Sequence, residues 1–238
     1  MPLVQLSKKP KGVTVIEGFP GYGLVGTIAT GFLIEHLKCE QIGKYFFEEV
    51  PATLAIHECK AVDPIGIYYD KENNIVIIHA LTAGAGIEFK AADVVLDICK
   101  QLEAKELIAI EGIGSQSLTE EPRAFHYCTS KEKEKKMLAA GIEHVGEGII
   151  VGVTSAILMK APKELPISAV FAETHTNLPD SKAAAKIIEV LDKYLGLEVD
   201  YRPLLRQAEE FEKKLKAILE QATKAHELKE KKALSYVG

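Results

Sequence analysis

Tryptophan is absent from this sequence, cysteine is confined to four isolated positions, and no apolar run approaches membrane-spanning length. Each absence excludes something. Cys39, Cys59, Cys99 and Cys128 stand 20, 40 and 29 residues apart, so there is no C-x-x-C pair for a zinc site or a redox motif. Four scattered thiols in a chain of 238 residues fit a reducing, cytoplasmic setting. A transmembrane helix needs roughly 18 consecutive apolar residues, so no membrane association is expected. The opening "MPLVQLSKKPKG" has no apolar signal core, and secretion is not expected either. Asn and Gln are scarce beside Lys and Glu, a bias shared with proteins of hot environments. An excess of positive charge is also missing. The net charge is −5, and residues 201–238 carry nine Lys/Arg against six Glu. That acidic body with a mildly basic end gives no footprint for nucleic acid.

What is present is alternation. "VTVIEG" (13–18), "ELIAIEGIG" (106–114) and "ISAVFAETH" (167–175) read as buried strands. "PIGIYYDKENNIVIIHAL" reads as a hairpin turning at Lys71–Asn74. Helical spacing covers the segment after Gly26 to about Lys38, and also 87–102. A further helix spans 180–195, capped by Asp180 and ended near Gly196. Ser130 is a plausible N-cap for the charged helix after it, and "GIIVGVTSAILM" is ambiguous between strand and helix. Strands alternating with helices indicate an α/β sandwich with a mostly parallel sheet, made mixed by the hairpin. Residues 1–200 would form this domain and 201–238 a helical extension with a tail.

The extension has its own pattern. Leu204, Ala208, Phe211, Leu215, Ile218, Ala222 and Ala225 step alternately by four and three, an a/d seam. Five Glu–Lys pairs at i, i+4 all place Glu first, the favourable orientation. A continuous helix from Pro203 to Lys232 would be roughly 45 Å long. The seam packs either on the chain's own body or on another subunit, which makes Leu204, Phe211, Leu215 and Ile218 candidate oligomer contacts.

"EGFPGYGLVGTIAT" (17–30) contains Gly21-Tyr-Gly23-Leu-Val-Gly26, a literal G-x-G-x-x-G between a strand and a helix. A dinucleotide loop places such glycines against a pyrophosphate, with an acidic residue about 20 positions on. Against this stand the inserted Gly18-Phe19-Pro20 and the bulky Tyr22. The alternative is glycine used for close backbone approach. Glu17, Glu111 and Glu173 end strands, and His79 and His175 sit in comparable places. Together with Gly21 and Gly23 they would line a crevice at the carboxyl edge of the sheet. There they could serve a hydrolase or a nucleotide-binding enzyme, or simply cap the following helices. No nucleophile elbow and no metal-ligand spacing of histidines is present.

Three blocks kept in order, "EGFPGYGLVG", "GIIVGVTSAIL" and "AETHTNLPDSKAAAKIIEVLDKYLGLEVD", resemble the archaeal branch of the proteasome assembly chaperone 2 family, over about 13–221. The resemblance implies an α/β/α domain similar in layout to nucleoside-phosphorylase or peptidyl-tRNA-hydrolase folds, with a helical C-terminal extension. It also implies a cytoplasmic homo-oligomer with no catalytic residues, no cofactor and no metal. Its partners would be protein subunits, proteasome α-subunits among them, or those of an unrelated archaeal complex for which it would be a scaffold. Phe19 and Tyr22 would then be presented at a packing surface. Docking of family tails on the proteasome uses a hydrophobic residue, then a penultimate Tyr. Here Leu234, Tyr236, Val237 and Gly238 would be the docking residues, but Tyr236 is third from the end and follows Ser235.

Overall fold

Four apolar runs pair in parallel at the centre of one sheet. They are β1 (Thr14–Gly18), β6 (Ile75–Ala80), β7 (Glu106–Gly114) and β10 (Ile167–Thr174). The remaining strands of that sheet are β2 (Glu40–Tyr45), β5 (Ile65–Asp70), β8 (Ala124–Cys128) and β9 (Glu143–His144). Its order is β2-β5-β6-β1-β7-β10-β8-β9. β5 runs antiparallel to β6, and β8 antiparallel to β10, so the sheet is mixed around a parallel core. This computed structural model describes residues 3–206 except 51, 53, 58, 83–85, 115–120, 175–177 and 204. Every residue of β1, β6 and β10 is buried, as parallel strands covered on both faces must be.

The helices cover the two faces in pairs. α1 (Val25–His36) and α5 (Ser181–Leu195) pack on one side with Met137 of α3 (Lys131–Ala139). On the other side lie α2 (Glu88–Gln101) and α4 (Val153–Lys160). Strand alternation feeds both layers: Val15 and Ile78 face α2 and α4, while Ile16 and Ile77 face α1 and α5. Ile16, Ile77 and Ile108 are fully buried, each such side chain contributing about 1.5–3 kcal/mol.

Local chemistry sets the ends of the elements. The Asp180 carboxylate accepts from the Ala183 amide at 3.0 Å and from the Thr174 hydroxyl at 2.7 Å, starting α5. Gly196, at φ 70°, stops it in the left-handed conformation expected of a C-cap glycine. Asp70 turns the β5–β6 hairpin by accepting from the amides of Glu72 and Asn73. Ser130 occupies the N-cap position of α3, but its side chain makes no capping bond. The stretch after Pro51 forms a separate small hairpin from β3 (Ala55–His57) and β4 (Lys60–Val62). "GIIVGVTSAILM" divides at Gly152: irregular chain precedes it and α4 follows. Gly152 has φ 107°, which a side chain would strain.

Tyr201 and Leu205 pack on the α1–α5 face. The heptad seam residues Leu204, Phe211, Leu215 and Ile218 lie outside the described residues, as do Leu234, Tyr236, Val237 and Gly238. No helix among the described residues is long and apolar enough to cross a membrane.

Candidate functional site

The glycine-rich loop after β1 folds tightly because two of its glycines let backbones touch. A Cβ on Gly18 would lie 2.3 Å from the Gly26 carbonyl oxygen, and one on Gly26 would lie 2.6 Å from that of Ile110. These glycines therefore bring the first turn of α1 down onto β1 and β7. Gly23 sits at φ 66° against the Thr174 side chain, and its carbonyl accepts from the Asp180 amide at 2.8 Å. Gly21 faces Glu111: a Cβ there would lie 3.3 Å from the Glu111 Oε1 atom. The first glycine of the pattern thus meets a carboxyl group, where a dinucleotide loop would offer its backbone to an anion.

A cavity of about 400 Å³ opens beside this contact. Glu17 and Glu111 line it together with Phe19, Tyr22, Phe171 and Thr154, under a rim formed by residues 148–152. Strand pairing explains the convergence. Glu17 is in register with Ala109 on the neighbouring β7, so Glu111 projects from the same face two residues further on. Glu17 is only 1% exposed. Burial, reinforced by the charge of Glu111, raises its pKa to about 8, against a smaller opposing pull from the Phe19 amide and the Thr154 hydroxyl. Burial raises Glu111 to about 7, with the Thr154 hydroxyl again opposing. A single hydroxyl can accept from a protonated carboxyl and donate to an ionised one, so Thr154 suits a pair that holds one proton. Each glutamate also keeps one buried oxygen, Oε1 of Glu17 and Oε2 of Glu111, without a hydrogen-bond partner among the described residues.

The other expected crevice residues are placed elsewhere. His79 is in register with Gly18 on β6, so alternation sends it to the α1 face, opposite to Glu17. There its Nδ1 lies 2.9 Å from the Thr30 hydroxyl, which donates to the Gly26 carbonyl. Burial lowers the His79 pKa to about 4. Glu173 is held by Arg123 through bonds of 2.7 and 3.0 Å and does not line the cavity. Gly23 does not line it either, and His175 lies outside the described residues.

Phe19, expected at an exposed packing surface, is buried at 5% exposure and joins the α2–α4 core. The three-residue insertion 18–20 turns its ring inward to cover the strand ends. Tyr22 is exposed at 39% and flanks the mouth beside Gly114. Sequence reasoning did not single out Thr154, which stands in the stretch that reads as ambiguous between strand and helix. Among the described residues, no group of three or more His, Cys, Asp or Glu could hold a metal ion.

The PAC2 family profile matches residues 15–219 of this chain. An uncharacterized protein of Methanocaldococcus jannaschii is 27% identical over 211 residues, covering 88% of this chain and 87% of that protein. Pyrococcus furiosus PbaA, described as an archaeal homolog of proteasome-assembly chaperone, is 30% identical. Its structure matches with a TM-score of 0.81 over 94% of this chain and 99% of its own. P. furiosus PbaB, described as an archaeal proteasome activator, has the same fold at 23% identity. Its TM-score is 0.76, over 90% of this chain and 97% of its own.

Proposed function

Because this chain belongs to the PAC2 family, we propose that it is a non-enzymatic, oligomeric protein that binds other protein subunits, proteasome α-subunits among them. The observation that carries this reading is the likeness to PbaA, 30% identical across nearly the whole of both chains. A surface feature supports it. Ile149 and Val151 are 91% and 74% exposed on the cavity rim, next to the half-exposed Tyr22. Clustered apolar side chains of this kind are material for a protein interface. The heptad seam at 204–225 is proposed as the element of self-association, since a long helix with such a stripe needs a neighbour.

Native mass spectrometry tests the proposal, on the protein alone and mixed with α-subunits of the proteasome from the same organism. A defined homo-oligomer that captures α-subunits is the expected result. An oligomer that ignores them would remove the proteasome half of the proposal, and a monomer that binds none would remove both. Deleting Leu234–Gly238 separates the two modes of capture. Undiminished binding assigns it to the body of the protein, and lost binding to the tail.

A further inference from the structure

Packing does not account for two acidic side chains in one cavity, one buried and one half-buried. Glu17 is almost wholly enclosed, yet among the described residues its Oε1 has no hydrogen-bond partner, and neither has Oε2 of Glu111. A buried charge is normally paired, and a buried polar atom normally bonded. Apart from Thr154 and Tyr22, the other described residues of the cavity wall are glycine or apolar, with Phe19, Ile113, Val145, Ile150 and Phe171 prominent. No Lys, Arg or His is among the described residues that line it. Among the described residues, the site therefore offers surplus acceptors, an apolar sleeve and no positive charge.

We infer that this cavity binds a primary ammonium group carried on a short alkyl chain. An ammonium is a compact charge with three N–H donors and no acceptor, which suits two carboxyl groups on one cavity wall, with its alkyl stem along Ile150 and Phe171. An anion would meet two carboxyls. A planar guanidinium spreads five donors in a fork suited to both oxygens of one carboxylate, whereas here the free oxygens belong to different side chains. A divalent cation wants more oxygen ligands than this pair offers. The ammonium enters as its pair of carboxyls gives up the proton it holds, and that proton passes to solvent. Two sources share this chemistry, a free small amine and a lysine side chain presented by another protein surface. The inference stands whether or not α-subunits bind.

Other ionisable groups surround the pair. Cys99 on α2 feels the charge of Glu17, and burial holds its thiol protonated. Glu173 on β10 is tied to Arg123. Tyr22 flanks the mouth, and Glu147 lies on the exposed rim segment. The titration that governs entry therefore belongs to Glu17 and Glu111.

Titration calorimetry of the full chain tests this with n-butylamine, with N-acetyl-lysine methylamide, and with butan-1-ol as the neutral control. Measurements in buffers of different ionisation heat count the protons released. Saturable binding of either amine, proton release, and no binding of the alcohol are expected, with affinity rising about tenfold or more from pH 6 to pH 8.5. Butylamine binding supports a free amine. Binding of the lysine mimic alone supports a presented side chain. Glu17→Gln and Glu111→Gln should each weaken binding about tenfold or more, the worth of a charged hydrogen bond. Should either variant fail to fold, Ile150→Trp, which crowds the sleeve and leaves both carboxyls intact, should weaken binding instead. Absence of amine binding by the folded protein at pH 8.5 overturns the inference. So does equal binding of the alcohol, or affinity unchanged in all the folded variants.

Discussion

Glu17 and Glu111 stand on adjacent parallel strands, two residues apart in register and on the same face, so that each carboxyl raises the cost of ionising the other. Like charges in a shared low-dielectric site cannot both ionise cheaply. The rest of the cavity, with Thr154 at the start of α4, is arranged around that constraint.

The first prediction concerns pH. The pKa of Glu17 rises from 4.5 to about 8 on folding, and that of Glu111 from 4.5 to about 7. The folded state thus binds these protons more tightly than the unfolded state. Their stabilising contribution is complete below about pH 4.5 and declines as pH rises towards about 7 to 8. Glu17→Gln should flatten this decline and melt higher than the parent protein near pH 8. Thermal melts from pH 5 to pH 9 decide it. An equally steep profile in the variant would count against the assignment.

Gly26→Ala should destabilise the protein by about 1–3 kcal/mol, the usual cost of overpacking. The new methyl would meet the Ile110 carbonyl oxygen, 2.6 Å from its Cβ position. For a chain of this length that is a fall in Tm of several degrees. A variant melting with the parent would show that α1 can move away from β7 at no cost.

Removing the α5 cap should be measurable. Asp180→Ala loses the bond to the Ala183 amide and leaves the Thr174 hydroxyl without its carboxylate, a loss of about 1 kcal/mol. Asp180→Asn should recover most of it. Chemical denaturation of the three proteins compares them directly.

Ile149→Asp and Val151→Asp lie on exposed positions, so each should change stability by less than about 0.5 kcal/mol. Either should nevertheless weaken the capture of partner subunits if the rim is the contact surface. Native mass spectrometry paired with thermal melts reads both effects. Unchanged association would move the interface away from the rim.

Nucleotides should not bind. A ligand held at 100 times its Kd adds about 2.7 kcal/mol to stability, and no such shift is expected with ATP or NAD. Gly21 faces the Glu111 carboxyl, which repels a pyrophosphate. A clear rise in Tm with either ligand would restore the dinucleotide interpretation of the loop.

The contrast between sequence and structure is clearest at β1, α5 and the cavity. β1, β7 and β10 were legible because each is an uninterrupted apolar run, and α5 because Asp180 and Gly196 mark its ends. Signals of that kind are local: periodicity, caps and turns act between residues close in the chain. They sufficed for an α/β fold with a mixed sheet.

They did not suffice for the site. Glu17, Glu111 and His79 all looked alike as polar residues near strand ends. Pairing across 94 residues brought the two glutamates together, and alternation along β6 sent His79 to the opposite face. Phe19 turned inward because the strand ends needed covering, while the apolar rim at Ile149 and Val151 remained exposed. The sequence by itself determined which segments became strands and helices, since backbone preference and burial pattern are written residue by residue. Only the tertiary structure decided which side chains share a cavity, because register and facing are settled between segments by packing, and a shift of one residue reverses both.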